Sequence, residues 1–189
     1  LVAARIALPF VVRRMMNDRL GRIPGYTGQV DDVSIHLWRG AYSLHGFSIR
    51  RRDGRVEEPF FRARGIDIAL AWREVWRGRL VSNLQVDEGQ IHFVQGASEE
   101  ESQTDLDRRW QEVIQDVIPI DITHLEITDG LLRYLDRTRE PKVDLFITRM
   151  RVRATGLRNR AEEAGAGEFP ARIVIEGDSL GEGRLQLLL

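Results

Sequence analysis

A six-residue phrase recurs along this chain: acidic residue, glycine, any residue, apolar, any residue, apolar. It stands at Glu88-Gly89-Gln90-Ile91-His92-Phe93, at Asp129-Gly130-Leu131-Leu132-Arg133-Tyr134 and at Glu182-Gly183-Arg184-Leu185-Gln186-Leu187, with a looser copy at Arg39-Gly40-Ala41-Tyr42-Ser43-Leu44. From Gly40 the glycines follow at steps of 49, 41 and 53 residues, so the unit repeats without a fixed period. Glycine tolerates positive φ, and apolar residues at every second position mark a half-buried sheet. Each copy therefore reads as a turn that releases the chain into a strand. A repeated strand unit without a catalytic cluster points to a surface that holds something.

Charge is distributed unevenly. Residues 1–80 carry 15 Arg against 8 acids (+7), and residues 81–189 carry 13 Lys+Arg against 21 acids (−8), which sum to the net −1. Such polarity fits a basic end near a membrane surface or nucleic acid, with an acidic remainder in solvent. Lys142 is the only lysine, which codon bias of a GC-rich genome explains. With no cysteine there is no disulfide, thiolate metal site or cysteine nucleophile.

Along the chain, residues 3–20 read as a helix ending near Gly21, kinked or restarted at Pro9. Its first part, LVAARIALPFVV (1–12), is too short for a bilayer, which needs roughly 20 apolar residues. It reads either as the last turns of a membrane anchor or as an amphipathic helix lying on the sheet. IPGY (23–26) is a turn, and 33–49 a meander of two or three strands. GIDIALAW (65–72) is a strand leading to a short helical turn at 73–78, and SNLQVDEGQIHFV (82–94) is a hairpin. An acidic linker (96–105) precedes a helix over 104–118, capped by Thr104 and Asp107 and stopped by Pro119. Strands follow at 123–128, 131–136, 143–157, 171–177 and 184–189, with Asp129-Gly130 the strongest hairpin signal and 159–169 a loop. The units are thus 1–22 (helix, anchor end or cap), 23–95 (first β unit), 96–118 (linker and helix) and 119–189 (second β unit, cut short at its carboxyl end). The expected fold is α+β, mainly β: an elongated antiparallel sheet of successive hairpins forming a curved groove, with an amino-terminal and an internal helix.

Catalytic and metal chemistry find little support. His36, His45, His92 and His124 lack ligand spacing and read as solvent-facing strand residues. The acids Asp31-Asp32, Glu57-Glu58 and Glu99–Glu101 read as solvated loops. There is no Gly-x-Ser-x-Gly elbow, Walker loop or Gly-x-Gly-x-x-Gly, and Gly165-Ala166-Gly167 reads as linker. Arg50, Arg51, Arg52, Arg55, Arg62 and Arg64 form a basic cluster near Phe60 and Phe61. That mixture suits nucleic-acid stacking or anionic headgroups, or simply a charged sheet edge that discourages aggregation.

The runs RIPGYTGQVDDVSIHLWRGAYSLHGFSIRRRDG (22–54), EPFFRARGIDIALAWREVWRGRLVSNLQVDEGQIHFV (58–94) and PIDITHLEITDGLLRYLDRTREP (119–141) resemble the AsmA-like family. The resemblance lies in a proline-glycine turn, a Trp-Arg-Gly strand, a Trp-start helix and a strand–Asp-Gly–strand unit. It implies a non-enzymatic envelope protein, anchored in the inner membrane of a Gram-negative bacterium. Its β-groove in the periplasm would pass phospholipids toward the outer membrane. No cofactor, metal or nucleic acid is expected; the partners are phospholipid acyl chains, the inner membrane and envelope proteins. The residues expected to line the groove are Ile66, Ile68, Leu84, Val86, Ile91, Phe93, Leu125, Ile127, Leu132, Tyr134, Leu145 and Ile147, with parity open in each strand. Arg13, Arg14, Arg19 and Arg22 are expected to meet headgroups. The other reading is a periplasmic scaffold or adaptor that docks a partner protein.

Overall fold

The computed structural model describes residues 2–36, 40–70, 81–103, 121–156, 172–180 and 183–188. Helix α1 spans Val2–Leu20. The strands are β1 Tyr26–Gln29, β2 Asp32–His36, β3 Ala41–Arg51, β4 Phe61–Leu70, β5 Val81–Asp87, β6 Gln90–Gln95, β7 Asp121–Asp136, β8 Val143–Thr155, β9 Arg172–Ser179 and β10 Gly183–Leu188. The chain is α+β, mainly β, as its alternation predicts. The expected helices at 73–78 and 104–118 and the loop at 159–169 lie outside the described residues.

All ten strands join one mixed sheet in the order β1-β3-β4-β5-β7-β8-β9-β10. Strand β2 continues β1 along β3 in unbroken register: Tyr26 opposes Arg51 and Asp32 opposes His45. Likewise β6 continues β5 along β4, with Ile66 opposite Val86 and Ile91 opposite Phe61. Residues 81–95 are therefore one interrupted strand rather than the expected hairpin. The same correction applies to Asp129-Gly130, which lies inside the single strand β7. Only two copies of the phrase sit at the start of a hairpin's second strand: Gly40 (φ 58°) before β3, and Gly183 opening β10 against β9.

Pairing is not antiparallel throughout. Strands β5 and β6 run parallel to β7, with Leu84 beside Leu125 and Phe93 beside Tyr134. Parallel neighbours need a crossover of a dozen or more residues, and residues 96–120 supply that length.

Where the hairpins were expected, the sheet carries a transverse crease. Gly46, Glu88, Asp129 and Arg149 all have positive φ, between 48° and 64°. The register lines them up across the sheet: Gly46 opposite Arg64, Arg64 opposite Glu88, Glu88 beside Asp129, and Asp129 near Arg149. Each is an extra residue that slips the alternation by one. In β3 the inward apolar set changes from Tyr42 and Leu44 to Phe47 and Ile49. In β4 it changes from Phe61 and Ala63 to Ile66 and Ile68. A one-residue slip in a single row would turn its apolar side chains to the wrong face. Slips in adjacent rows cancel, as the paired register shifts between β7 and β8 show.

The glycines of the phrase have a different purpose here from the one expected. At Glu88-Gly89 and Asp129-Gly130 the acid, not the glycine, takes the left-handed conformation. Gly130 is needed for close approach: a Cβ there would stand 3.0 Å from Met150 Cε and 3.2 Å from the Met150 carbonyl oxygen.

Helix α1 packs on β1 and β2 and ends at Gly21, whose N–H donates to the Asn17 carbonyl (2.9 Å). It runs unbroken through Pro9. Val12, Met16 and Leu20 recur at helical spacing and join a core with Ile23, Val30, Val33, Leu44, Phe47, Ile49, Ala63, Ile66 and Ile68.

Candidate functional site: the apolar face of the sheet

The register decides parity for every expected lining residue. Ile66 opposes Val86 and Ile68 opposes Leu84, which adjoin Ile127 and Leu125. Beyond the crease, Ile91 and Phe93 adjoin Leu132 and Tyr134, which oppose Ile147 and Leu145. Directly paired residues share a face, so all twelve project from one face of the sheet. Leu185 and Leu187, paired with Gly177 and Ile175, extend that face to β10.

This face is filled at one end and open at the other. Beneath α1, Leu44, Ala63 and Ile68 are fully buried. An edge-to-face aromatic chain runs on from Tyr26 to Phe60 (5.8 Å) and from Phe60 to Phe93 (6.0 Å). Past Phe93 the cover thins: Leu132 and Ile147 are half-buried, while Tyr134 and Leu145 are 37% and 48% exposed. On the far side of the crease Val152 and Ala154 remain buried. The open apolar ground is therefore the Tyr134–Leu145–Ile147 side. Exposed apolar surface costs about 25 cal/mol per Å² in water, so an apolar ligand gains by covering it.

The opposite face carries cross-strand polar pairs, beside an apolar strip in which buried Val94 lies next to half-buried Leu135, with Leu131 and Phe146 on the same face. Ser43 bonds Asp67, Arg64 Nε donates to Asp87 (3.0 Å), Arg133 Nε to Asp144 (2.8 Å), and Arg149 Nε to Asp178 (2.6 Å). The guanidiniums of Arg64 and Arg133 hold the Asp87 and Asp144 carboxyls below the usual carboxylate range. Phe60 is buried on the apolar face and Phe61 is half-buried there, away from Arg62 and Arg64. The basic–aromatic stacking surface considered for nucleic acid is thus not assembled.

Among the basic residues expected at headgroups, Arg13 is tied down. Its Nη1 donates to the Asp31 carbonyl (3.0 Å) and its guanidinium lies over the Phe10 ring (5.6 Å). Arg14, Arg19 and Arg22 are exposed. The outward side of α1 also carries apolar residues: Leu8, Phe10, Val11 and Met15 are all exposed. No described helix is long and apolar enough to cross a membrane.

One histidine departs from the expected solvent-facing placement. His36 and His45 are exposed and His124 is half-buried, but His92 is buried, and its Nδ1–H donates to the Pro59 carbonyl (3.0 Å). Gln103 seals it, donating from Nε2 to the His92 carbonyl (2.9 Å). No sequence signal marks His92, because the covering segment joins it only through tertiary folding. Burial, with a smaller effect from Arg133, lowers the His92 pKa below its ordinary value of 6.5, against the raising effects of the Pro59 hydrogen bond and Glu58. A lowered folded-state pKa means the unfolded chain binds the proton more readily. The neutral ring's contribution is therefore complete above about pH 6.5 and is lost as pH falls toward the folded pKa. We expect the thermal midpoint to drop between pH 6.5 and 5.5, and His92→Asn, which retains a donor for Pro59, to flatten that drop. Equal pH slopes in the two proteins would show that another group titrates. Among the described residues no group of three or more His, Asp or Glu side chains is placed to hold a metal ion.

Comparison with protein-family models gives no match, and neither does comparison with curated proteins.

Proposed function

We propose that this chain is a non-enzymatic, AsmA-like segment of the bacterial envelope, whose apolar sheet face binds phospholipid acyl chains and helps move them between the inner and outer membranes. The observation that carries the reading is the continuity of one apolar face through a crease that would scramble it unless neighbouring rows slipped together. That face is packed beneath α1 and exposed at Tyr134 and Leu145 instead of closing into a core throughout. Acyl chains suit it because they need no polar partner. The exposed Leu8, Val11 and Met15 of α1, beside Arg14, suit the headgroup boundary of an anionic membrane, with the sheet in the periplasm.

Native mass spectrometry of the purified protein tests the reading, with co-purified phospholipid as the expected result. Leu145→Asp places a charge on the open ground at a half-exposed position, so folding survives while retained lipid falls at least about tenfold. A folded wild type that carries no lipid and takes up none from micelles would sink the proposal.

A specific observation also favours the scaffold reading. Among the described residues no strand pairs with the far edge of β10, and Leu188 beside it is exposed. A strand edge of this kind takes a further strand, whether of the same protein or of a partner. Under that reading Leu145→Asp leaves partner recovery unchanged and lipid is absent throughout.

A further inference from the structure

The six-arginine cluster at 50–64 sorts into two groups. Four members already have partners. Arg51 pairs with Asp53 (2.8 Å) and donates to the Ser102 carbonyl (2.8 Å). Arg52 caps the carbonyls of Gly21, Ile23 and Tyr26, closing the turn after α1. Arg55 pairs with Glu100, and Arg64 with Asp87 and Glu88 (3.2 Å).

Arg50 and Arg62 remain. Both are exposed, and neither forms an ion pair among the described residues. They occupy neighbouring strands on the polar face, since Ser48 opposes Arg62 and Arg50 lies two residues further along β3. Both line one depression of about 330 Å³, together with Gln29 and Ser48. Like charges at diagonal cross-strand positions repel. The rest of this face relieves such repulsion with an acid on the adjoining row. Here one acid, Asp31, lines the depression, bonded to Gln29 Nε2 (2.9 Å), and its single charge answers only one of the two guanidiniums. What completes the charge pattern is an anion from outside.

We infer that the depression between β3 and β4 binds a phosphate group, held by the guanidiniums of Arg50 and Arg62 with the Ser48 hydroxyl as a further donor. Phosphate fits because two forked guanidiniums offer parallel N–H pairs to a tetrahedral oxyanion. The group comes either from a phosphorylated solute or from a phospholipid headgroup. The site lies on the face opposite the apolar ground, so it stands or falls independently of acyl-chain binding.

The test titrates the full chain with inorganic phosphate at constant ionic strength and reads calorimetric heat and thermal midpoint. Saturable binding is expected, weakened about tenfold by Arg50→Ala or Arg62→Ala, which each remove charge-assisted hydrogen bonds. The double variant should lose binding altogether. Arg151→Ala, an exposed arginine elsewhere on the same face, should bind like the wild type. Flotation with phosphatidate vesicles separates the sources. Binding that weakens in the double variant marks the headgroup, and unchanged flotation beside phosphate binding marks a solute. No saturable phosphate binding, or equal loss in Arg151→Ala, overturns the inference. Both arginines are exposed, so unchanged circular dichroism is expected in every variant.

Discussion

Gly46→Val is expected to destabilise the protein by about 3 kcal/mol or more, the largest effect of any single change on the crease. Two causes add. Gly46 has φ of 64°, where a β-branched residue is strained. A Cβ there would also stand 2.6 Å from Asp31 Cγ and 2.9 Å from Asp31 Cβ, so the Asp31 side chain must leave its place. Gly54 separates the two causes. Its φ is 68°, but a Cβ there would meet nothing within 4 Å. Gly54→Ala should lose only the backbone share, roughly 1 kcal/mol, while Gly46→Ala loses that plus the displacement of Asp31. Urea unfolding with unchanged m-values gives both numbers. Equal losses at Gly46 and Gly54 would mean that the contact with Asp31 carries no weight.

Asn17→Ala is expected to lose about 3 kcal/mol, more than its partial exposure suggests. One side-chain amide serves both main-chain groups of Val30: Nδ2 donates to the Val30 carbonyl (3.1 Å), and Oδ1 accepts from its N–H (2.7 Å). Val30 is 1% exposed, so alanine at 17 strands a buried donor and a buried acceptor, each worth about 1–3 kcal/mol. Asn17 also closes the outer edge of the β1–β2 row, where unpaired main-chain groups would invite another strand. Hydrogen exchange at the Val30 amide should accelerate selectively in the variant. A loss under 0.5 kcal/mol with Val30 protection intact would mean that water replaces the amide freely.

The two sheet edges are therefore unlike. Helix α1 reaches across and satisfies Val30 at one edge, while at the other the far side of β10 has no strand beside it among the described residues. The apolar face follows the same gradient, packed beneath α1 and open near Tyr134 and Leu145. Under the proposed function, the helix seals one end of the acyl-chain surface and leaves the other accessible.

Much of this architecture could be read from local pattern. Alternation read over 33–49, 65–72 and 143–157 falls on β2–β3, the second half of β4 and β8, and the residues two and four places after each glycine, Tyr42 and Leu44 through Leu132 and Tyr134 to Leu185 and Leu187, all reach the same face. A period of two is local, because each backbone step reverses the side chain whatever strand lies alongside. The chain could not say whether an acid-glycine pair turns back or bulges onward. Asp129-Gly130 suits both, and the choice went to the bulge because β5–β6 and β8 flank β7 on both sides of it. Nor could it distribute the arginines. Six neighbours in sequence look alike until folding brings Asp53, Glu100, Asp87 and three carbonyls between the end of α1 and the start of β1 to four of them and leaves Arg50 and Arg62 facing one depression. The repeated phrase by itself determined a sheet with one apolar face; only the tertiary structure decided where that face closes, because closure depends on partners far away along the chain.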